Sequence, residues 1–219
     1  MPTKSSHSSS QKMPPKLRLK LANECRDLLS RVQLKIRCNN YRFMLSESKD
    51  LSDITYKKMM TLFEVLMRKM YENSSWGWNE SEKLAEWKHP RTRIITVIRR
   101  DSCDSASAQV VYGEPGENED IIAFLCFRFE VGSDKSECAL YVYELHVHQD
   151  YQRQSLGSEL LGMARLLGLE FKMDKILLTV FNSNTQALKF YSKHKYGRDV
   201  SSPAKNDTDY IILSTRLKY

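Results

Sequence analysis

Glu144 lies in an alternating segment, ALYVYELHVH (139–148), directly ahead of a polar knot, YQRQSLGSELL (151–161), that holds a single glycine. A carboxylate on a strand can accept a proton or a hydrogen bond from a nucleophile. Gln152, Arg153, Gln154, Ser155 and Gly157 make either an ordinary turn or a cradle in which backbone N–H groups at a helix start hold an anion. Strict alternation puts Glu144 on one strand face with Val142 and His146, opposite Tyr141, Tyr143 and Leu145. A β-bulge here would re-aim them and bring Tyr143 and Glu144 together. His146 and His148 stand two apart on one face with no third ligand nearby, so no metal is expected.

These residues need a scaffold, and the pattern supplies one. Residues 19 to 38 place Leu21, Leu28, Leu29, Val32 and Ile36 on a rough helical stripe. A polar connection leads to a second helix, SDITYKKMMTLFEVLMRKMYENS, with Ser52 or Asp53 as its N-cap and Met59, Leu62, Phe63, Leu66 and Met70 as a packing stripe. Three strands follow at 92–100, 121–130 and 139–148, the first two joined by a long acidic, turn-rich loop. A helix from Leu156 to about Phe171, a buried strand at 175–181, a helix from Asn184 to Lys195 and a last strand, DYIILSTRL, complete the order. This is an α/β arrangement of one mixed sheet with helices on its faces. The polar knot joins the third strand to a helix, where open α/β sheets bind ligands, so the cradle reading gains over the turn.

Composition bounds the rest. The 219 residues are 41% hydrophobic and 28% charged, enough for one domain and an extension. No apolar stretch is long enough to cross a membrane, and the first sixteen residues have no apolar core of a secretory signal. Five cysteines (Cys25, Cys38, Cys103, Cys126, Cys138) with no C-x-x-C pair argue against a disulfide framework and fit a reducing compartment. Up to Arg42 there are ten Lys and Arg against two Asp and Glu, leaving 24 against 25 in the remainder of a chain of net charge +7. The basic character therefore belongs to the N-terminal extension, with residues 1–17 read as a disordered tail and 18–219 as the domain. That arm either touches nucleic acid or a ribosome, or is merely solvated.

Gln152-Arg153-Gln154-Ser155-Leu156-Gly157 resembles the pyrophosphate loop, Gln/Arg-x-x-Gly-x-Gly/Ala, of the GNAT superfamily of acetyl-CoA-dependent N-acetyltransferases, with Ser155 in place of one glycine. LTVFNSNTQALKFYSKHKYG (178–197) is similar to that superfamily's second signature, an Asn ahead of a helix that carries a Phe-Tyr pair, here Asn184, Phe190 and Tyr191. Within it, YENSSWGW (71–78), FRFEV (127–131), YVYEL (141–145), LTVF (178–181) and SSP (201–203) resemble the NatD-type N-alpha-acetyltransferases over roughly residues 20 to 215.

The resemblance implies a GNAT fold with an N-terminal helical extension. It also implies acetyl transfer from acetyl-CoA, without a metal, to the N-terminal Ser of histone H4 and of the related histone starting Ser-Gly-Arg-Gly. It makes Glu144 the general base, directly or through a water, with Tyr143 as its catalytic neighbour. Tyr71, Trp76, Glu130, Val131, Gly132, Tyr141, Tyr143, Thr179, Ser201 and Tyr210 would bind the peptide. Leu145, His146, Val147, Arg153, Gln154, Ser155, Leu156, Gly157, Ser158 and Asn184 would hold the cofactor. Two carboxylates, Glu130 and Glu144, suit a basic histone tail. If Ser155 needs a left-handed backbone it costs about 1–2 kcal/mol; if not, its hydroxyl adds a phosphate contact. A monomer acting in cytoplasm and nucleus is expected. A GNAT enzyme acting on lysine or small amines, or an inactive binding module working through the basic arm, are the other readings.

Overall fold

Short β-branched and aromatic runs form the strands β1 (Tyr41–Glu47), β2 (Arg93–Arg99), β3 (Val110–Tyr112), β4 (Ile121–Val131), β5 (Cys138–Val147), β6 (Lys175–Phe181), β7 (Gly197–Arg198) and β8 (Tyr210–Arg216). The helices are α1 (Pro15–Glu24), α2 (Asp53–Glu72), α3 (Glu80–Trp87), α4 (Leu156–Glu170) and α5 (Thr185–Lys193). The structure, a computed structural model, describes residues 13–32, 40–100, 110–132, 134–204 and 207–219. The strands make one sheet in the order β3-β1-β2-β4-β5-β6-β8-β7. Only β1–β3 and β5–β6 run parallel, the latter joined through α4. The expected α/β mixed sheet with flanking helices is the architecture observed.

Two apolar clusters sandwich the sheet. One packs α4, Ala22 of α1 and Tyr191 of α5 on residues such as Leu125, Phe127, Leu140 and Val142. The other packs α2 and α3 on Ile94, Phe124 and Cys126. At the centre of the second cluster Phe63 meets the rings of Tyr71, Trp78, Trp87 and His146 at centroid distances of 5.3 to 5.4 Å. Ser52 caps α2 by accepting the Thr55 N–H, as its sequence position suggests. The α4, β6, α5 and β8 elements fall where the pattern put them.

The N-terminal region departs from expectation. The first helix is Pro15–Glu24, not 19–38: Pro15 is suited to a first helical turn, and Cys25 is already extended. Asp27 Oδ1 then accepts the Ser30 N–H at 3.1 Å, a local turn that competes with continued helix. Residues 33–39, Cys38 and Ile36 among them, lie outside the described residues, as do 1–12 of the proposed tail and 101–109 (with Cys103) of the acidic loop. The connection after the first helix contains β1, whose Phe43, Met44 and Leu45 are all buried because the strand is covered on both faces. The acidic loop contains a short strand midway along it, β3, which runs parallel to β1. Among the described residues Cys25 and Cys126 are free thiols, and no described helix is long and apolar enough to cross a membrane.

One basic residue of the extension is not solvated at all. Arg18, 2% exposed, donates to Asp174 Oδ2 at 2.9 Å and to the Lys172 carbonyl, which pins α1 to the turn between α4 and β6. Removing one partner of a buried ion pair typically costs about 3–5 kcal/mol. Arg18→Ala is therefore expected to lower unfolding free energy by that order, read from urea denaturation. A loss under about 1 kcal/mol, the range of exposed pairs, would show that α1 is an ornament to the domain.

Candidate active site

Glu144 reaches its position through an irregularity in β5. Cys126 of β4 pairs with Glu144, but the next residue, Phe127, pairs with Val142, so Tyr143 is an extra residue on β5. This bulge reverses the alternation. Leu140 and Val142 face the α4 cluster, and so do Leu145 and Val147, while Tyr143 packs with the α2–α3 cluster. Glu144 and His146 also point to the α2–α3 side, where Glu144 meets Lys83 and His146 meets Phe63 and Phe124. The strict-alternation reading, which grouped Glu144 with Val142, is thereby corrected. Tyr143 and Glu144 are consecutive and share a face because of the bulge.

Glu144 is 6% exposed, and each of its oxygens has one partner. Its Oε1 accepts from Lys83 Nζ at 2.8 Å, and its Oε2 lies 2.6 Å from His146 Nε2. Burial pushes this carboxyl up, but the Lys83 ammonium and the His146 hydrogen bond pull harder, leaving it at about 2. Lys83 in turn lies 3.1 Å from Glu86 and about 5.3 Å above the Tyr71 ring, and the Glu144 charge holds it firmly protonated against its own burial. Burial raises the Glu86 carboxyl. A second polar group adjoins the first: Tyr143 donates to Glu130 at 2.8 Å, and Arg128 lies over the Tyr143 ring and 3.8 Å from Glu130.

Around these groups lies an aromatic mouth. Tyr71, Trp76, Phe181 and Tyr210 meet edge to face or tilted, with Tyr71–Phe181 at 5.0 Å and Trp76–Tyr210 at 5.0 Å. Trp76 is half exposed. Tyr141 meets Tyr143 with tilted rings, centroids 4.7 Å apart, and shares a hydroxyl hydrogen bond with Thr179. Tyr71, Trp76, Tyr210 and Glu144 are thus joined to Glu130, Tyr141, Tyr143 and Thr179 through Lys83, Glu86 and Arg128. Three predicted peptide residues stand apart from these. Val131 is an exposed strand end, Gly132 is buried against Glu137 and Lys175 in the β4–β5 connection, and Ser201 gives both its amide and its hydroxyl to Asp199. Their hydrogen bonds hold the β4–β5 connection and the turn after β7.

The predicted cradle has the backbone for its task. Arg153 and Ser155 both adopt left-handed conformations, at φ 64° and 67°. The first bond of α4 runs from the Glu159 N–H to the Ser155 carbonyl, so the N–H groups of Leu156, Gly157 and Ser158 have no helical acceptor and face the loop. A Cβ at Gly157 would lie 3.4 Å from Phe190 of α5, at the edge of ordinary contact, so α4 and α5 are closely packed here. Gln154 holds the loop to the sheet through Tyr41 and the Asp150 carbonyl. Above the cradle β5 and β6 part company: their pairing ends at Val142 and Leu178, leaving Leu145, His146 and Val147 hydrogen-bonded to β4 alone among strands. Asn184 caps α5 through the Ala187 N–H, and the Ser158 hydroxyl lies 3.1 Å from His194 Nε2. Among the described residues no three His, Cys, Asp or Glu side chains converge as metal ligands.

Residues 65–196, more than half of the chain, match the Acetyltransferase (GNAT) family. The chain belongs to that family. Several solved structures share the fold of this GNAT acetyltransferase at low identity. A chain of the NatC complex bound to Gag peptide and CoA is 15% identical with a TM-score of 0.51, covering 81% of this chain and 99% of that one. Arabidopsis thaliana NAA60 in complex with a bisubstrate analogue is 10% identical with a TM-score of 0.56, covering 81% and 99%. A GNAT-family acetyltransferase from Staphylococcus aureus Mu50 is 12% identical with a TM-score of 0.56, covering 80% and 99%. The family's acetyl donor is acetyl-CoA, and this GNAT chain fits it. The left-handed loop and unpaired helix amides suit a diphosphate, and the parted strands expose main-chain groups for an extended arm.

Lys83, Glu86 and Arg128 are absent from the sequence-predicted site, although Lys83 and Arg128 pair with its central carboxylates and Glu86 pairs with Lys83. Lys83 and Glu86 sit on α3, a mostly charged helix with few apolar residues to mark it. The i,i+3 spacing of Lys83 and Glu86 was the available signal. Ser155, at φ 67° and ψ −2°, makes no side-chain cap bond to α4. Serine there costs about 1–2 kcal/mol, and glycine returns part of that by its greater freedom when unfolded. Ser155→Gly is expected to raise the melting temperature of this GNAT enzyme by ~1–3 °C, and Ser155→Val, β-branched at positive φ, to lower it. Calorimetry in which the glycine variant melts lower would show that the hydroxyl contributes more than the strain costs.

Proposed function

We propose that this GNAT enzyme is an N-alpha-acetyltransferase of the NatD type, acting on the N-terminal Ser of histone H4 and of the related histone that starts Ser-Gly-Arg-Gly. The observation that carries the reading is the bulge that sets Tyr143 and Glu144 side by side facing a mouth of Tyr71, Trp76 and Tyr210. Flat aromatic walls suit an extended peptide backbone, gripping it on their apolar faces. The carboxylates Glu86, Glu130 and Glu144 outnumber the cations Lys83 and Arg128 in the site, which favours a basic peptide although the whole chain is positive. Substrates of this kind would place the enzyme in cytoplasm and nucleus.

Acetyl-CoA supplies the acetyl group as an activated thioester. The protein must align a neutral amine and give its proton a way out. A peptide α-amine has a reference pKa near 7.7–8.0 and lysine one near 10.4, so the neutral form is roughly 3.4 kcal/mol more accessible at an N-terminus. Glu144, held at about 2, is a weak proton acceptor. It suits an amine that is already uncharged: the carboxylate accepts one N–H, orients the lone pair, and takes the proton, directly or through a water, as the amide forms. Tyr143, hydrogen-bonded to Glu130, fixes the neighbouring wall.

Peptides beginning Ser-Gly-Arg-Gly are expected to be acetylated on the α-amine alone, and more weakly when the Arg is replaced by Ala. Blocking the N-terminus should abolish acceptance even with lysines present. Mass spectrometry that finds robust lysine acetylation on the blocked peptide would replace this reading with a lysine-directed one. Glu144→Gln keeps the shape and removes the carboxylate charge, so turnover on the free peptide should fall about 10²–10⁴-fold with CoA affinity nearly unchanged by calorimetry. Wild-type turnover in that variant would remove Glu144 from the chemistry.

A further inference from the structure

Glu144 is not held by its own strand alone. The group that dictates its charge comes from α3, an element placed by a separate set of contacts. Trp87 at the end of α3 is fully buried, edge-on to Phe63 and Phe124. Arg128 of β4 donates to the Glu86 carbonyl and, at 2.8 Å, to Thr92 Oγ1, holding the last turn of α3 over the sheet. Asn79 caps the first turn through the Glu82 N–H. The helix so fixed delivers Lys83, 11% exposed along its side chain, to Glu144 Oε1 at 2.8 Å. Its ammonium is further enclosed by the faces of Phe63 and Tyr71, at 5.5 and 5.3 Å from the ring centres. Burying a lysine beside aromatic rings is expensive unless its charge is used.

We propose that Lys83 is a positioning residue of the acetyl-transfer site: its ammonium keeps Glu144 ionised and aimed, and thereby reserves the carboxylate for amines that arrive uncharged. The proposal rests on the reading of Glu144 as the group that receives the substrate amine. Two physical consequences support it. A buried carboxyl without a nearby cation is driven toward its neutral form, which can no longer accept an amine proton. A protonated amine approaching Glu144 meets a like charge already seated at hydrogen-bond distance, whereas a neutral amine meets only the free lone pairs of the two carboxylate oxygens.

Every ionisable group that bears on Glu144 from the surrounding elements is accounted for. Glu86 shares Lys83 on α3, and His146 lies on β5 itself. Burial keeps the Tyr71 phenol of α2, the Cys126 thiol of β4 and the Tyr191 phenol of α5 neutral, each pushed up further by the Glu144 charge. Arg128 is occupied by Thr92, Glu86 and Glu130. Among the described residues the direct partners of Glu144 are Lys83 and His146, of which Lys83 carries its charge whatever the state of the imidazole.

The test compares pH profiles of kcat/KM between pH 6 and 9 on a Ser-Gly-Arg-Gly peptide for wild type, Lys83→Arg, Lys83→Met and Lys83→Gln. Thermal melts and CoA titrations establish that each variant is folded. The arginine variant should keep the wild-type shape. In the methionine variant, or the glutamine variant if methionine fails to fold, activity should fall at least tenfold more at pH 6.5 than at pH 9, because Glu144 now protonates within the range. A structural role alone would lower all points equally, so a parallel profile in the neutral variants overturns the proposal. Glu144→Gln run alongside separates the two layers: if it is as active as wild type, the amine-receiving role of Glu144 fails, and if it is impaired while the neutral Lys83 variants stay parallel, only the role of Lys83 fails.

Discussion

One extra residue in β5 governs the orientation of everything that follows it. A strand presents alternate side chains to opposite faces, so a single insertion inverts every later assignment. Before Tyr143, the residues facing α4 are Leu140 and Val142; after it they are Leu145 and Val147. Were Tyr143 paired in regular register instead of bulged, Glu144 would point into the apolar layer under α4, and the apolar Leu145 would face Lys83. The bulge therefore puts a carboxylate and a phenol side by side and, with the same stroke, returns apolar side chains to the core just ahead of the cradle. Bulged strands are also more strongly twisted, which fits the divergence of β5 from β6 immediately beyond Val142.

The charge arrangement around Glu144 is one that stability alone would not select. Buried ion pairs seldom repay the cost of removing both partners from water, and an apolar pair of equal volume often serves better. Here the pair is elaborated: Lys83 touches two carboxylates, Glu144 meets a lysine and a histidine, and Arg128 fastens the helix that carries the lysine. The basic excess of the chain and the acidic bias of the site also lie in different parts of the sequence. The N-terminal stretch up to Arg42 holds the excess, while β4, β5 and α3 hold the carboxylates, so a positive protein can offer a locally negative surface.

Much of this was legible in the sequence. The strands 121–130 and 139–148 and the α4 and α5 helices follow from period and punctuation, because each is long, strongly patterned or flanked by a cap, whereas the polar loop ahead of α4 reads as a turn or a cradle until the family resemblance is added. The parts that were not legible share a physical cause: they depend on neighbours distant along the chain. A period-two pattern reads the same with or without a bulge, so the pairing of Tyr143 with Glu144 emerges only from the β4 register. Lys83 is one charged residue among several on a short polar helix, and its burial is decided by Arg128 and Trp87, not by its own surroundings in sequence. β1 is a brief apolar run that becomes a strand because β2 and β3 flank it. The helical stripe over 19–38 stops early because Asp27 captures a backbone amide locally. Ser155 carries a left-handed backbone that its residue type argues against, a local rule broken at a functional loop.

The parting of β5 and β6 gives the sheet an internal edge. Strand edges are ordinarily shielded because they recruit other chains; this one lies within the sheet, where an extended arm bearing amides can take the missing place in the ladder. A ligand that does so becomes in effect a temporary strand, and its binding free energy is added to that of the folded protein. At a concentration one hundred times its dissociation constant such a ligand contributes about 2.7 kcal/mol. A donor seated along that edge would couple the protein's stability to the supply of its own acyl donor.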